Sequence, residues 1–282
     1  MQAPDGFVVA LVLLAALLHA VWNTVAKTGS DRLLTLWLVI AVGSALGAVG
    51  ICFLPPLDPR AWPFLAGSFV THAVYHLFLV RMYRLGDLSQ VYPIARGIAP
   101  VLVGLGAAVF VGESLGAIQL AGLALSSGAI CTLALASPGH AVDARSAVVA
   151  ALLAGVLNAS NMVVDGQGVR HAGSELTYIS WSFLVDFFPV TVAVVWLRRG
   201  RIAAFVREEG VRSCAGGLIA TLSYSIVLWA VARGAMAHVS ALRETSVLLA
   251  AWIGTRLLGE PFGGTRVVAA AGVVAGVLLL RC

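Results

Sequence analysis

Two arginines stand where charge is costly. Arg96 lies in Tyr92-Pro93-Ile94-Ala95-Arg96-Gly97 and Arg243 in Ser240-Ala241-Leu242-Arg243-Glu244, each inside a long apolar run. A charged side chain near the middle of a membrane-crossing helix costs about 2.5–3.5 kcal/mol on insertion scales, so its presence marks a functional candidate. Two guanidiniums converging on one cavity could clamp a carboxylate, phosphate or phosphonate through forked hydrogen bonds. Neighbouring helix positions project about 100° apart, so Glu244 could neutralise an arginine other than Arg243. The competing reading is an Arg–Glu ion pair that cross-links the helices, and both stay open here.

A second group consists of imidazoles, amides, an acid and aromatics. His19 precedes Trp22 and Asn23, while His72, Tyr75 and His76 form a polar cluster in another apolar run. An unperturbed imidazole titrates near pH 6.5, so one of these rings could take up and release a driving proton. His19, His76 and Asp186 are the proton-coupling candidates, and Asp186 could equally balance an arginine. His72 and His76, one helical turn apart, could also contact substrate, bond between helices or hold a metal. His-Ala-Val-Tyr-His lacks the glutamate of a zinc-protease motif, and no metal site is expected. Asn158 and Asn161 should face inward, since amides meeting lipid tails lack partners. Tyr178, Trp181, Tyr224 and Trp229 could line a cavity or anchor at the interface. The candidate substrate-binding set is Arg96, Arg243, Glu244, Tyr92, Trp22, Asn23, His72, His76, Asn158 and Trp181.

Those residues must be positioned by membrane helices. The chain has 282 residues, 60% hydrophobic and only 11% charged. A soluble domain carries roughly 25% charged residues, so this composition cannot cover a soluble surface. At about 20 apolar residues per span the length allows about ten helices. Apolar runs between polar or Pro/Gly-rich breaks place them at 6–27, 33–54, 62–82, 88–111, 115–136, 146–165, 174–197, 212–232, 238–257 and 265–281. An Arg-rich loop from Arg198 to Arg212 is the long connection. Pro93, Gly97 and Pro100 should kink the helix that carries Arg96, freeing backbone carbonyls toward a cavity. The first apolar run has no basic residue ahead of it and is too long for a signal-peptide core, so it reads as a spanning helix. Cys52, Cys131, Cys214 and Cys282 are far apart and read as small apolar fillers.

Adding 147 to Arg96, Gly112 and Glu113 gives Arg243, Gly259 and Glu260, and adding 135 to Asn23 gives Asn158. The two halves, 1–137 and 145–282, therefore read as copies of one five-helix unit. An odd helix number inverts the second copy, so the expected architecture is all-α with ten transmembrane helices in two inverted repeats and a site between them. Gly112-Glu113 and Gly259-Glu260 read as tight loops that set topology. Small-residue spacings at Gly43 and Gly47, and at Gly272 and Gly276, suit close helix packing.

The run from Tyr83 to Gly97 with Pro100 and Gly112-Glu113, together with His19-Ala20-Val21-Trp22-Asn23 to Lys27, resembles the EamA-like branch of the drug/metabolite transporter superfamily. The likeness spans nearly the whole chain. It implies movement of small metabolites by alternating access, commonly export, and termini in the cytoplasm. The basic residues imply the opposite orientation: of 18 Lys and Arg, twelve fall on the loops between odd and even helices and four on the set holding the termini. By the positive-inside rule this places the termini outside.

The net charge of +5 comes with no basic run interleaved with aromatics, so nucleic acid is not an expected partner. No Walker-type loop precedes the single lysine, Lys27, so energy must come from a gradient, and no cofactor is expected. An intramembrane hydrolase is disfavoured because it leaves the repeat unexplained. The reading is a non-enzymatic secondary transporter in the cell (inner) membrane, monomeric or homodimeric. It would carry a small anionic or zwitterionic metabolite of amino-acid, carboxylate or phosphate/phosphonate type, with protons as coupling ion. The alternative is a carrier of cationic amines or drugs, with Asp186, Glu244 and aromatics forming the site.

Overall fold

The structure, a computed structural model, describes residues 5–85, 88–135, 144–249 and 264–280. Among these residues there is no strand. The helices are α1 (Gly6–Lys27), α2 (Arg32–Phe53), α3 (Trp62–Leu85), α4 (Leu88–Gly97), α5 (Ala99–Gly106), α6 (Ala117–Leu135), α7 (Ala144–His171), α8 (Glu175–Arg198), α9 (Ile202–Arg233), α10 (Met236–Arg243) and α11 (Gly264–Leu279). Six segments are long and apolar enough to cross a membrane, and the longest of them, Glu175–Arg233, contains both α8 and α9. Two shorter apolar stretches lie in α6 and α11. The outward surface is apolar, with Val109, Phe110, Trp196 and Val211 largely exposed, as lipid contact requires.

Helix ends follow local chemistry. The Asp5 carboxylate accepts from the Val8 N–H at 2.8 Å, and Asp31 accepts from the Leu33 and Leu34 N–H groups. Both satisfy amides that a first turn leaves free. Ser174 caps α8 in the same way. Gly173 and Gly112 adopt positive φ (73° and 74°), a backbone that disfavours side chains, and each closes a helix end. Between α2 and α3, Asp58 caps a short 3₁₀ turn, and the adjoining Arg60 guanidinium holds its carboxyl down to about 2.

Several helix limits differ from those expected. The run 88–111 is not one helix: α4 stops at Gly97, α5 starts at Ala99 with Pro100 in its first turn, and residues 107–111 form a π-turn. The break thus falls between the anticipated Gly97 and Pro100. The Arg198–Arg212 loop is not a loop; a 3₁₀ turn at Arg199–Arg201 leads directly into α9. Helix α7 runs on to His171, six residues beyond the expected end at 165. The expected helix 238–257 is α10, a turn at Glu244 and further helix at 245–249; its remainder, with Gly259 and Glu260, lies outside the described residues, as does Cys282.

The packing joins elements distant in sequence. Helix α1 lies on α9, α3 on α7, α2 on α8 and α9, and α6 on α11. Gly43 and Gly47 of α2 face Phe183 and Ser180 of α8, while Gly122 of α6 and Gly276 of α11 face each other's backbone. A methyl group would collide at Gly47, Gly122 and Gly276 and be tight at Gly43, which is how small residues let helices approach in lipid. A core of Val8, Val12, Val103, Met162, Val227 and Met236 draws on five helices and seals one side of a polar cavity.

Candidate functional site

The cavity measures about 180 Å³ and is walled by α1, α2, α3, α4, α7, α8, α9 and α10. Of the expected site residues it brings together Arg96, Arg243, Tyr92, Trp22, Asn23, His72, His76, Asn158, His19 and Asp186, with Asn161. Two do not line it. Glu244 is 1% exposed beneath the wall, and Trp181 packs edge-on against Trp62 at 5.2 Å in a separate cluster.

Three arrangements divide this cavity. At one pole, Arg96 and Arg243 end the short helices α4 and α10 respectively, or lie one residue from that end, where a helix C-terminus favours a cation. Their surroundings differ. Arg96 Nε lies 2.9 Å from Glu244 Oε2, so the glutamate pairs with the arginine of the other half rather than with its neighbour. Arg243 makes no ion pair among the described residues. Its guanidinium lies 5.5 Å from the Tyr224 ring centroid, a cation–π contact, and its Nε is shielded from solvent without a hydrogen-bond partner. Such a group is costly unless something in the cavity pairs with it.

At the other pole lies a chain of acids and imidazoles. His72 Nε2 is 3.3 Å from Asp165 Oδ2, and His72 Nδ1 is 3.4 Å from Asp186 Oδ1. His76 Nδ1 approaches the same Asp186 oxygen at 3.5 Å. Asp165 is fully buried and accepts hydroxyl donors from Tyr178 (3.0 Å) and Tyr224 (2.7 Å). The third arrangement is local to α1: Trp22 Nε1 donates to His19 Nδ1 at 3.1 Å, and Asn23 Nδ2 donates to the His19 carbonyl.

Asp165 was missed by the sequence reading, as were the roles of Tyr178 and Tyr224 as its donors. The available signal was an acid inside an apolar run followed by Gly166 and Gly168. Glu113, expected to be a topology residue, is buried and bonded to Arg170 at 2.9 Å, and its other oxygen accepts the Met236 N–H that opens α10. Gly112-Glu113-Ser114-Leu115-Gly116 has the letter pattern of a hydrolase nucleophile elbow. It joins a π-turn to a helix, whereas that elbow joins a strand to a helix.

Residues 145–282 match the EamA-like transporter family. The chain carries an EamA-like transporter domain. Among 29 matching chains of solved structures, a crystal structure of a protein that is 18% identical superposes with a TM-score of 0.71. The match covers 97% of this chain and 94% of the other, a likeness of fold over both halves. No curated protein matches the sequence. The protein is thus a membrane protein whose second half is EamA-like, with an internal cavity lined by polar groups.

Proposed function

We propose that this protein is a secondary transporter that moves a small zwitterionic metabolite across the cell (inner) membrane by alternating access, in the direction of export. The observation that carries the substrate class is the cavity's polarity. Arg243, without an ion-pair partner among the described residues, faces it from one side and the Asp186 carboxylate from the other. An acid group would meet Arg243 and an ammonium would meet Asp186, with Trp22, Asn23, Tyr92, Asn158 and His76 shaping the space between.

Alternating access is supported by the way the halves interlock. Pairing α1, α2, α3 and α6 of residues 1–137 with α7, α8, α9 and α11 of 145–282 converts the α1–α9 contact into the α7–α3 contact, and maps α2–α8 and α6–α11 onto themselves. That is the exchange expected of a pseudo-twofold axis in an inverted repeat. The break after Arg96 recurs after Arg243, so both arginines end discontinuous helices, the elements that form transporter sites.

The test is thermal-shift binding on detergent-solubilised protein with a matched series: L-leucine, isoamylamine and 4-methylpentanoate, extended to further amino acids and their amine and acid analogues. A bound ligand stabilises as RT ln(1 + [L]/Kd), so weak ligands register at millimolar concentration. A zwitterion should stabilise most, and Arg243→Gln should remove the preference for the acid group without lowering the ligand-free melting temperature. Stabilisation by amines alone, undisturbed by Arg243→Gln, would show an amine carrier whose site is Asp186 and the aromatics.

A further inference from the structure

Both ring nitrogens of His72 face carboxylates, Asp165 at 3.3 Å from Nε2 and Asp186 at 3.4 Å from Nδ1. A neutral imidazole has one N–H and one lone pair, so only the doubly protonated ring can offer a donor to each acid. The two acids differ in their other support. Asp165 holds two tyrosine hydroxyl donors whatever the state of His72. Asp186 opens on the cavity and has, besides His72, only the His76 ring at 3.5 Å among the described residues.

We infer that His72 is a proton-binding site whose occupancy competes with an amine-bearing substrate at Asp186, so that one proton and one substrate exchange in the same cavity. The competition rests on the zwitterion reading in one respect, that the substrate ammonium meets Asp186. With the proton bound, the imidazolium bridges both carboxylates: one positive charge against two negative. When the ammonium arrives, the Nδ1 proton leaves for cavity water, the Nε2–H stays on Asp165, and the ammonium replaces the lost charge. The site again holds one positive charge against two negative. Charge is thus kept at the acid pole, while the substrate carboxylate brings one negative charge that the positive Arg243 meets at the other.

The other groups facing His72 fit this role. On α3 itself, His76 touches only Asp186 among the acids, and the Tyr75 ring packs on His76. From α9, Tyr224 lies 6.3 Å from the His72 ring and donates its hydroxyl hydrogen bond to Asp165. Arg243, beyond Tyr224, stays charged throughout and contributes a constant field.

Two measurements test the inference. Calorimetric titration of the purified protein with the stabilising amino acid and with its deaminated acid, each in phosphate and in Tris, reads protons exchanged on binding. The amino acid should release about one proton per site and the acid none. Release should vanish in His72→Gln and persist in His171→Gln, an exposed ring outside the cavity. Release that survives His72→Gln, or that is equal for the acid, overturns the site, while loss of acid recognition in Arg243→Gln would still uphold the substrate reading. If no zwitterion binds, the substrate class fails and the competition with it. The second measurement needs no ligand: in ¹⁵N-histidine spectra, the His72 resonance, assigned by its loss in His72→Gln, should show a titration midpoint displaced in Asp186→Asn. An undisplaced midpoint overturns the pairing itself.

Discussion

Arg96 and Arg243 end equivalent helices, yet what surrounds their guanidiniums makes them unequal. Replacing Arg96 strands Glu244, 1% exposed, in a nonpolar wall. Breaking a buried pair from one side costs about 3–5 kcal/mol, so Arg96→Gln should lower thermal stability in detergent markedly. Arg243→Gln strands no acid and should leave unfolding within about 1 kcal/mol of the parent. Equal losses would show that Glu244 is shared between the two. Both arginines were legible in the sequence because charge in an apolar run is rare and each recurs at a fixed shift. Asp165 was not, because Asp165-Gly166-Gln167-Gly168 has the composition of a helix stop. In the structure the glycines serve approach rather than termination: a methyl group at Gly166 would strike Met236 and Val231, and one at Gly168 would strike the Tyr178 ring. That close contact is what lets the Tyr178 hydroxyl reach Asp165.

Helix ends add polar links to the helix packing that joins the two halves. Arg170, in the last turn of α7, donates to Glu113 and to the carbonyls of Val231 and Gly234 at the end of α9, while Glu113 receives the first amide of α10. One ion pair thus satisfies two helix termini, the end of α9 and the start of α10, that would otherwise leave backbone groups unpaired. Glu113→Gln and Arg170→Gln should each destabilise by about 3–5 kcal/mol, and the double variant should cost less than their sum. A double variant that costs the full sum, read from unfolding in detergent, would show that the two act separately. Spacing alone revealed Gly112-Glu113 as a loop but not its partner, because Arg170 is 57 residues away and meets it only through the packing of α7. The helix break around Arg96 was legible, since Gly97 and Pro100 bracket it. The break after Arg243 was not, since no proline or glycine marks it.

Across the whole molecule the cavity draws on both faces. Its walls use the second half of α1 and α3 (Trp22, Asn23, His76, Leu79) and the first half of α2 and α4 (Leu36, Val39, Tyr92), toward the face bearing the α1–α2 turn and the α8–α9 joint, and Asn161, Ser182, Phe183 and Tyr224 from the halves of α7, α8 and α9 toward the opposite face. Those two are linked by Arg198 to Asp31 at 2.9 Å and by Glu209 to the Ser30 N–H. At the opposite face the halves are stitched by the Asp58 N–H to the Ala172 carbonyl, by Thr177 to the Pro55 carbonyl and by Arg170 to Glu113. Basic residues crowd the face bearing the α1–α2 turn and the α8–α9 joint, and the positive-inside rule predicts that face to be cytoplasmic. On that orientation the Arg170–Glu113 pair belongs to the outer face and the Arg198–Asp31 pair to the inner one. Single cysteines in a background with the four native ones replaced decide this. Ser114→Cys, exposed on the stitched face, should react with a membrane-impermeant maleimide in intact cells. Gly200→Cys, in open space at the α8–α9 joint, should react only after permeabilisation. The reverse pattern would put the termini in the cytoplasm, as the family resemblance implies. The Arg170–Glu113 pair would then lie at the cytoplasmic face.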